Sequence, residues 1–328
     1  MILKIRPHFT LGEVARMAGV EKADLRALEA GGSLPAARRD RENHRVYDFD
    51  EARRIVGIAA PTQRRRIAVV NQKGGVGKTT TTFNLAGALT KRGRKVLAVD
   101  LDPQANLTSS LGIELLEGEP SVEELFIEEE FAARSSVRET RIPGLFCIPA
   151  RPRLAGVEIK IFDAFLRETI LDRKLERVHG DYDFLLLDCP PNLSLVTVNA
   201  LVACEEALVP IEAQTYSIKA ISDLTNTVAL IRSRLGKGVA LRFLPTKIDG
   251  RLKVGQEILE AIRGGLKDRV LDPIRTDANL VRAPMLRAPV GFAFPRSKGA
   301  RDYARLAETL LREPPATGIG GASGAGNA

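Results

Sequence analysis

Tryptophan is absent from this sequence, and cysteine, methionine and histidine occur only three times each. The cysteines, Cys147, Cys189 and Cys204, are odd in number, scattered and set in apolar stretches. That excludes a disulfide framework and points to small buried residues in a reducing compartment. His8 and His44 have no ligand spacing, so no metal cluster is expected. No run approaches the roughly 18 apolar residues of a membrane span, and residues 1–6 lack the apolar core and cleavage site of a signal peptide. The expectation is a cytoplasmic protein without a membrane partner. Hydrophobic residues, at 44% of 328 positions, suffice for one or two domains with a full-sized core. The net charge of +8 is uneven: residues 1–66 hold 14 Lys and Arg against 9 Asp and Glu. A polyanionic partner is therefore expected at the N-terminal end.

Residues 73–80 read Lys73-Gly74-Gly75-Val76-Gly77-Lys78-Thr79-Thr80, after the apolar run 67–70 and before the helix-forming stretch 81–91. Strand, glycine-rich loop and helix in that order make a phosphate-binding loop. The glycines let backbone N–H groups converge at a helix N-terminus, where the macrodipole favours an anion, while Lys78 supplies charge and Thr79 a magnesium ligand. The generic loop carries glycine at position 72, but here that residue is Gln72, and a second lysine, Lys73, stands beside it. Two lysines do not readily serve the same phosphates from one side, so Lys73 is free to point outward. In this form the loop resembles the deviant Walker A motif of the ParA/MinD group of ATPases. The resemblance implies ATP and Mg²⁺ as cofactors, slow basal hydrolysis, and a nucleotide-sandwich homodimer in which Lys73 reaches the partner's phosphates.

From residue 67 onward apolar strands (67–70, 95–100, 145–148, 184–188, 207–211, 239–245) alternate with helical patterns near 155–177, 217–235, 254–262 and 299–311. This predicts a mostly parallel, doubly wound α/β sheet of the P-loop NTPase type, with ligands at the carboxyl ends of the strands. One strand ends in Asp100-Leu101-Asp102-Pro103-Gln104, with two carboxylates on the same side of an extended chain. It resembles the ParA-type Asp-x-Asp-Pro-Gln segment, which implies that Asp102 orients the attacking water near the metal. The family usually has Gly where this chain has Ala105, so a stiffer loop is expected. Another strand ends in Asp188-Cys189-Pro190-Pro191. An aspartate after four buried apolar residues needs a cation, and the segment resembles Walker B, which implies that Asp188 serves Mg²⁺. Thr246 follows a strand where related NTPases recognise the base, and Arg275-Thr276-Asp277 stands where many partition ATPases have an adenine-contacting Pro-Arg-Asn. Thr246 and Asp277 are accordingly the base-side candidates. The resemblance spans residues 67–312 and includes Ser297–Tyr303.

The N-terminal segment has its own pattern. Thr10-Leu11-Gly12-Glu13 is a capping box opening a short helix, Gly19-Val20 breaks it, and a second helix is expected over 21–29. Residues 38–47 read as a basic hairpin, and Asp48-Phe49-Asp50-Glu51 is a second capping box. The run resembles the winged helix-turn-helix of the MerR group, which implies DNA contact through Lys22, Arg26, Arg38, Arg39 and Arg45. In the C-terminal half the resemblance to ParA implies sequence-independent DNA contact through Arg251, Arg275 and Arg282. The expected organisation is a winged module over 1–60, a basic linker over 61–66, an ATPase domain over 67–312 and a flexible glycine-rich tail over 313–328.

Two functions follow. The first is a nucleoid-associated DNA-partition ATPase, for plasmid or chromosome, released by a ParB-type activator. The second is a nucleotide-gated transcriptional regulator. Positioning of a protein cargo on the nucleoid is a near relative of the first.

Overall fold

The computed structural model describes residues 8–34, 36–40, 42–57, 64–212, 218–249 and 253–314. The glycine-rich tail from 315, residues 58–60 of the expected winged module, residues 61–63 of the expected linker, and Arg251 lie outside them.

A small module comes first: β1 (Phe9–Thr10), α1 (Leu11–Ala18), α2 (Lys22–Ala30), β2 (Arg38–Arg39), β3 (Arg45–Tyr47) and α3 (Phe49–Ile55). Both capping boxes form. The Thr10 N–H donates to Glu13 at 2.9 Å and the Glu13 N–H to the Thr10 hydroxyl at 3.4 Å. Asp48 and Glu51 do the same for α3. The hairpin β2–β3 is antiparallel, and β1 adds a third strand on the other side of β3. Phe9, Leu11, Val14, Leu25, Tyr47 and Phe49 form its own core.

The rest is β4 (Arg65–Val69), α4 (Lys78–Thr90), β5 (Val96–Asp100), α5 (Asn106–Ser110), α6 (Val122–Ile127), β6 (Arg138–Glu139), β7 (Leu145–Ile148), α7 (Val157–Lys160), α8 (Ile170–His179), β8 (Phe184–Asp188), α9 (Leu195–Val202), β9 (Glu206–Glu212), α10 (Ile218–Leu235), β10 (Ala240–Thr246), α11 (Lys253–Leu266), α12 (Ala278–Met285), α13 (Val290–Ala293) and α14 (Lys298–Arg312). The sheet order is β10-β9-β4-β8-β5-β7-β6, parallel except for the short edge strand β6. Side chains alternate between two cores. Ala68, Leu97, Leu185 and Leu187 face one, while Ile67, Val69, Phe184 and Leu186 face the other, against α4 and α14. Strands covered on both faces explain why they read as unbroken apolar runs.

Two expectations are corrected. Arg65 and Arg66 are not linker but the first residues of β4. Arg65 is buried, with its guanidinium on Glu206 and on the Leu310 carbonyl, while Arg66 holds Glu205 at 2.9 Å and Asp172 at 3.0 Å. A charge run reads as solvated in sequence, yet these arginines find acids on neighbouring elements. The helix expected over 155–177 is broken: 3₁₀ turns at Pro152–Gly156 and Arg167–Thr169 flank α7, and Leu166 takes a left-handed φ of 51° before α8 begins.

The module docks against the amino-terminal edge of the sheet. Arg53 of α3 pairs with Asp183, the residue before β8, and donates to the Gly93 carbonyl before β5 at 2.8 Å. The Phe49 ring fills the notch at Gly144, before β7, where a Cβ would come within 2.1 Å of the ring. A cleft of about 470 Å³ lies between α1 and the lower ends of α4 and α14, lined by Glu13, Arg16, Lys91, Arg92 and Glu308 among others.

Candidate nucleotide site

Parallel register brings the carboxyl ends of three strands side by side. Val69 pairs with Asp188, and Asp188 with Asp100, so the phosphate loop leaves β4 beside two aspartates. The loop turns through left-handed φ at Gly75 (76°) and Gly77 (97°), values that admit glycine without strain. Gly77 is the N-cap of α4, and Gly74, Val76, Thr79 and Thr80 complete the cradle. Asn71, outside the motif, braces it. The Asn71 side chain accepts from the Lys73 N–H at 2.9 Å and donates to the Pro210 carbonyl at 2.7 Å.

The two lysines have different surroundings. Lys78 is buried, and its ammonium donates to the Lys73 carbonyl at 2.9 Å, inside the hollow of the loop. Burial lowers its proton affinity, while Asp188 and then Asp102 oppose the loss. The Lys73 side chain is exposed on the outer lip.

The aspartates also divide. Asp100 is wholly buried and occupied: it accepts from the Thr108 N–H at 2.9 Å, the Thr108 hydroxyl at 2.7 Å and the Asp102 N–H at 3.1 Å. It is therefore a structural clamp. Asp102, 9% exposed, has one oxygen on the Gln104 N–H at 2.9 Å, so of the two it is the one left for chemistry. Asp188 is wholly buried; Oδ1 accepts from the Thr82 hydroxyl at 3.1 Å, and Oδ2 has no hydrogen-bond partner. Burial first, and the Asp100 charge second, push its carboxyl well above the usual range, against the pull of Thr79, Thr82 and Lys78. A buried carboxylate with an unpartnered oxygen, beside a helix-start threonine, fits a magnesium site. Thr79 and Asp188 would hold the ion or its water shell, with Asp102 facing it. Sequence reasoning missed Thr82, Thr108 and Asn71; the threonine run 79–82 was the available signal, since Thr82 lies one turn beyond Lys78.

Several expected contacts are corrected. Thr246 is taken up by the loop itself: its hydroxyl donates to the Val76 carbonyl at 2.8 Å, bracing the loop from β10. Both oxygens of Asp277 are taken as a double helix cap, accepting from the Asn279 N–H at 2.9 Å and the Gly299 N–H at 2.8 Å. That leaves it poorly placed for an exocyclic amine. Arg275 is not a free cation for DNA, because its guanidinium grips the buried carboxylate of Asp302 at 2.6 to 3.1 Å. Arg282 stacks over the Phe294 ring at 5.3 Å.

On the module, Lys22, Arg26, Arg39 and Arg45 line a groove of about 460 Å³ together with Arg16, which sequence reasoning left out. Arg45 also pairs with Glu29 at 2.6 Å. Arg38 turns aside to Asp48 and Glu51, at 2.7 and 2.9 Å.

Comparison with known proteins agrees with this division. Residues 64–241 match the AAA domain family model, and residues 9–66 match the MerR HTH family regulatory protein model. The chain is 38% identical over 246 residues to the sporulation initiation inhibitor protein Soj of Bacillus subtilis, covering 74% of this chain and 97% of that protein. It is 33% identical to the chromosome partitioning protein ParA of Myxococcus xanthus, covering 76% of this chain and 89% of that one. Among solved structures, cobyrinic acid a,c-diamide synthase from Mycobacterium smegmatis with bound ADP and magnesium superposes with a TM-score of 0.66 at 32% identity, covering 76% of this chain and 95% of that chain.

Proposed function

This chain is a member of the ParA/Soj family of partitioning ATPases, and on that premise we propose that its ATP-bound form is a sandwich homodimer that holds DNA and is released when a ParB-type activator stimulates hydrolysis. The observation that carries the reading is the contrast between the two loop lysines: Lys78 lies inside the hollow, and Lys73 stands exposed on its lip. A second lysine outside the cradle has work only if phosphates approach from another subunit.

Exposed apolar side chains add support. Ile159, Phe162 and Phe165 follow β7 beyond its carboxyl end, and Val281 and Met285 lie on α12, all more than 60% exposed. Such patches suit a surface that is covered in another state. Catalysis is positioning and electrostatics. The loop N–H groups and Lys78 bind the phosphates, Asp102 orients a water, and Lys73 adds charge from the partner. Thr79 and Asp188 would hold Mg²⁺ or its water shell, and the ion would supply positive charge against the phosphoryl oxygens. The domain division proposed is a winged module over 1–60, a linker from 61 and an ATPase domain whose first strand begins at Arg65. The cytoplasm, at the nucleoid, is the place for such a cycle; among the described residues no helix is long and apolar enough to cross a membrane. The cationic groove of the module favours a second role, reading an operator as a nucleotide-gated regulator.

Lys73→Ala is expected to keep ATP affinity within about twofold while losing the ATP-dependent dimer in sedimentation and the retention on DNA. A normal dimer would remove the trans lysine. Asp102→Ala is expected to remain a DNA-bound ATP dimer because water is no longer oriented; a monomer with ATP would take Asp102 out of that role.

A further inference from the structure

We propose that the ATP-closed dimer carries its two winged modules at opposite poles, and so bridges two separate DNA duplexes instead of reading adjacent half-sites on one. The proposal rests on the sandwich reading above and deepens it.

Three docking contacts fix where the module sits. Asp183, Gly93 and Gly144 precede β8, β5 and β7, so Arg53 and Phe49 hold the module beneath the amino-terminal edge of the sheet. The nucleotide loop is at the carboxyl edge. Helix α4 joins the two levels, from Lys78 in the loop to Thr90 beside the interdomain cleft, and its 13 residues span about 20 Å. In a sandwich the carboxyl edges face each other across the nucleotides. Each module then lies at least about 20 Å from the shared plane, on the outside, and the pair at least about 40 Å apart.

The docking is also stiff. Arg53 is 8% exposed and Asp183 wholly buried, so swinging the module out would strand an ion pair. The groove of Arg16, Lys22, Arg26, Arg39 and Arg45 uses α1, α2 and the wing, whereas the docking contacts come from Arg53 and Phe49 of α3; of the groove's cations Arg16 alone also lines the interdomain cleft. Docked modules therefore keep their cationic grooves open. Half-sites on one duplex lie about 34 Å apart on one face of the DNA. Two grooves at opposite poles of a rigid body do not meet that requirement, whereas two duplexes, one at each pole, do.

The test uses the full chain with Asp102→Ala to hold the ATP state, and Ser33→Cys, an exposed turn position, to carry a spin label. The native cysteines are all buried, so the label goes to one place. Inter-label distances above about 40 Å are expected, and a shorter distance overturns the polar placement. In parallel, beads bearing one duplex are expected to capture a second, fluorescent duplex in the presence of ATP. A Lys22→Ala, Arg26→Ala double variant is expected to sediment as a dimer yet capture at least about tenfold less; undiminished capture overturns the assignment of the bridge to the modules. A monomer with ATP in sedimentation would sink the sandwich itself, an outcome distinct from a dimer with neighbouring wings.

Discussion

Two buried aspartates stand at the two ends of one strand. Asp183 enters β8 and Asp188 leaves it, and both are fully removed from solvent. The first is met by the protein's own cations: Arg53 pairs with it, Arg94 lies 3.9 Å away, and the Lys95 N–H donates at 2.6 Å. The second is met by the Thr82 hydroxyl, with the Lys78 ammonium turned to a loop carbonyl. Each carboxylate has one oxygen without a hydrogen-bond partner, but that of Asp183 lies 3.9 Å from Arg94, whereas Asp188 Oδ2 has no ion-pair partner among the described residues. The same residue type at the same depth is thus a joint at one edge and a candidate ligand site at the other. What separates them is whether the neutralising charge is built in or must be brought by the nucleotide and its metal.

The comparison breaks most visibly at the joint. Arg53→Ala leaves Asp183 buried with only a distant guanidinium, and removing one partner of a buried pair costs about 3–5 kcal/mol. Urea unfolding is expected to show that loss, with the module melting before the ATPase domain. A change below about 1 kcal/mol would mean that the pair is solvated and the docking loose. At the other end the effect moves from stability to chemistry. Asp188→Asn keeps the Thr82 bond and removes a charge that burial disfavours, so the unfolding midpoint is expected to stay within about 1 kcal/mol of the parent. Turnover of Mg-ATP is expected to fall about a hundredfold, the scale of outer-shell metal residues. Equal turnover would place the ion's anchor elsewhere.

The two ends were not equally legible. Lys73 to Thr80 form one contiguous string whose spacing states its chemistry, and Asp102 and Asp188 each follow an apolar strand, so their edge follows from alternation alone. The joint is a pairing across 130 residues between an arginine in an amphipathic helix and an aspartate ahead of a strand, and neither looks unusual locally. Arg65 failed for the same reason: beside Arg64 and Arg66 it reads as a solvated run, and only the fold brings Glu206 to it. Asp277 has a capping role that sequence reasoning passed over although its local signal was present. An aspartate directly before a helical stretch is a cap first, and its oxygens were already spoken for by Asn279 and Gly299.

The smallest expected effect lies between the two ends. Ala105 follows the Asp102 loop with φ 51° and ψ 34°, a left-handed conformation that costs a residue with a Cβ about 1–2 kcal/mol. It also caps α5, which carries Thr108, the clamp on Asp100. Glycine at 105 relieves the strain but enlarges the unfolded ensemble, so Ala105→Gly is expected to raise stability by a net of about 0.5–1 kcal/mol. For an ATPase domain of this size that is a rise of about 1–4 °C in Tm. Turnover is expected to stay within about twofold, because no chemical group is lost and Thr108 still fixes Asp100. A fall in turnover without a fall in Tm would show that the rigid backbone at 105 aims Asp102. The strain would then belong to the nucleotide edge as a functional feature, distinct from the joint, where an ion pair and close packing set the geometry.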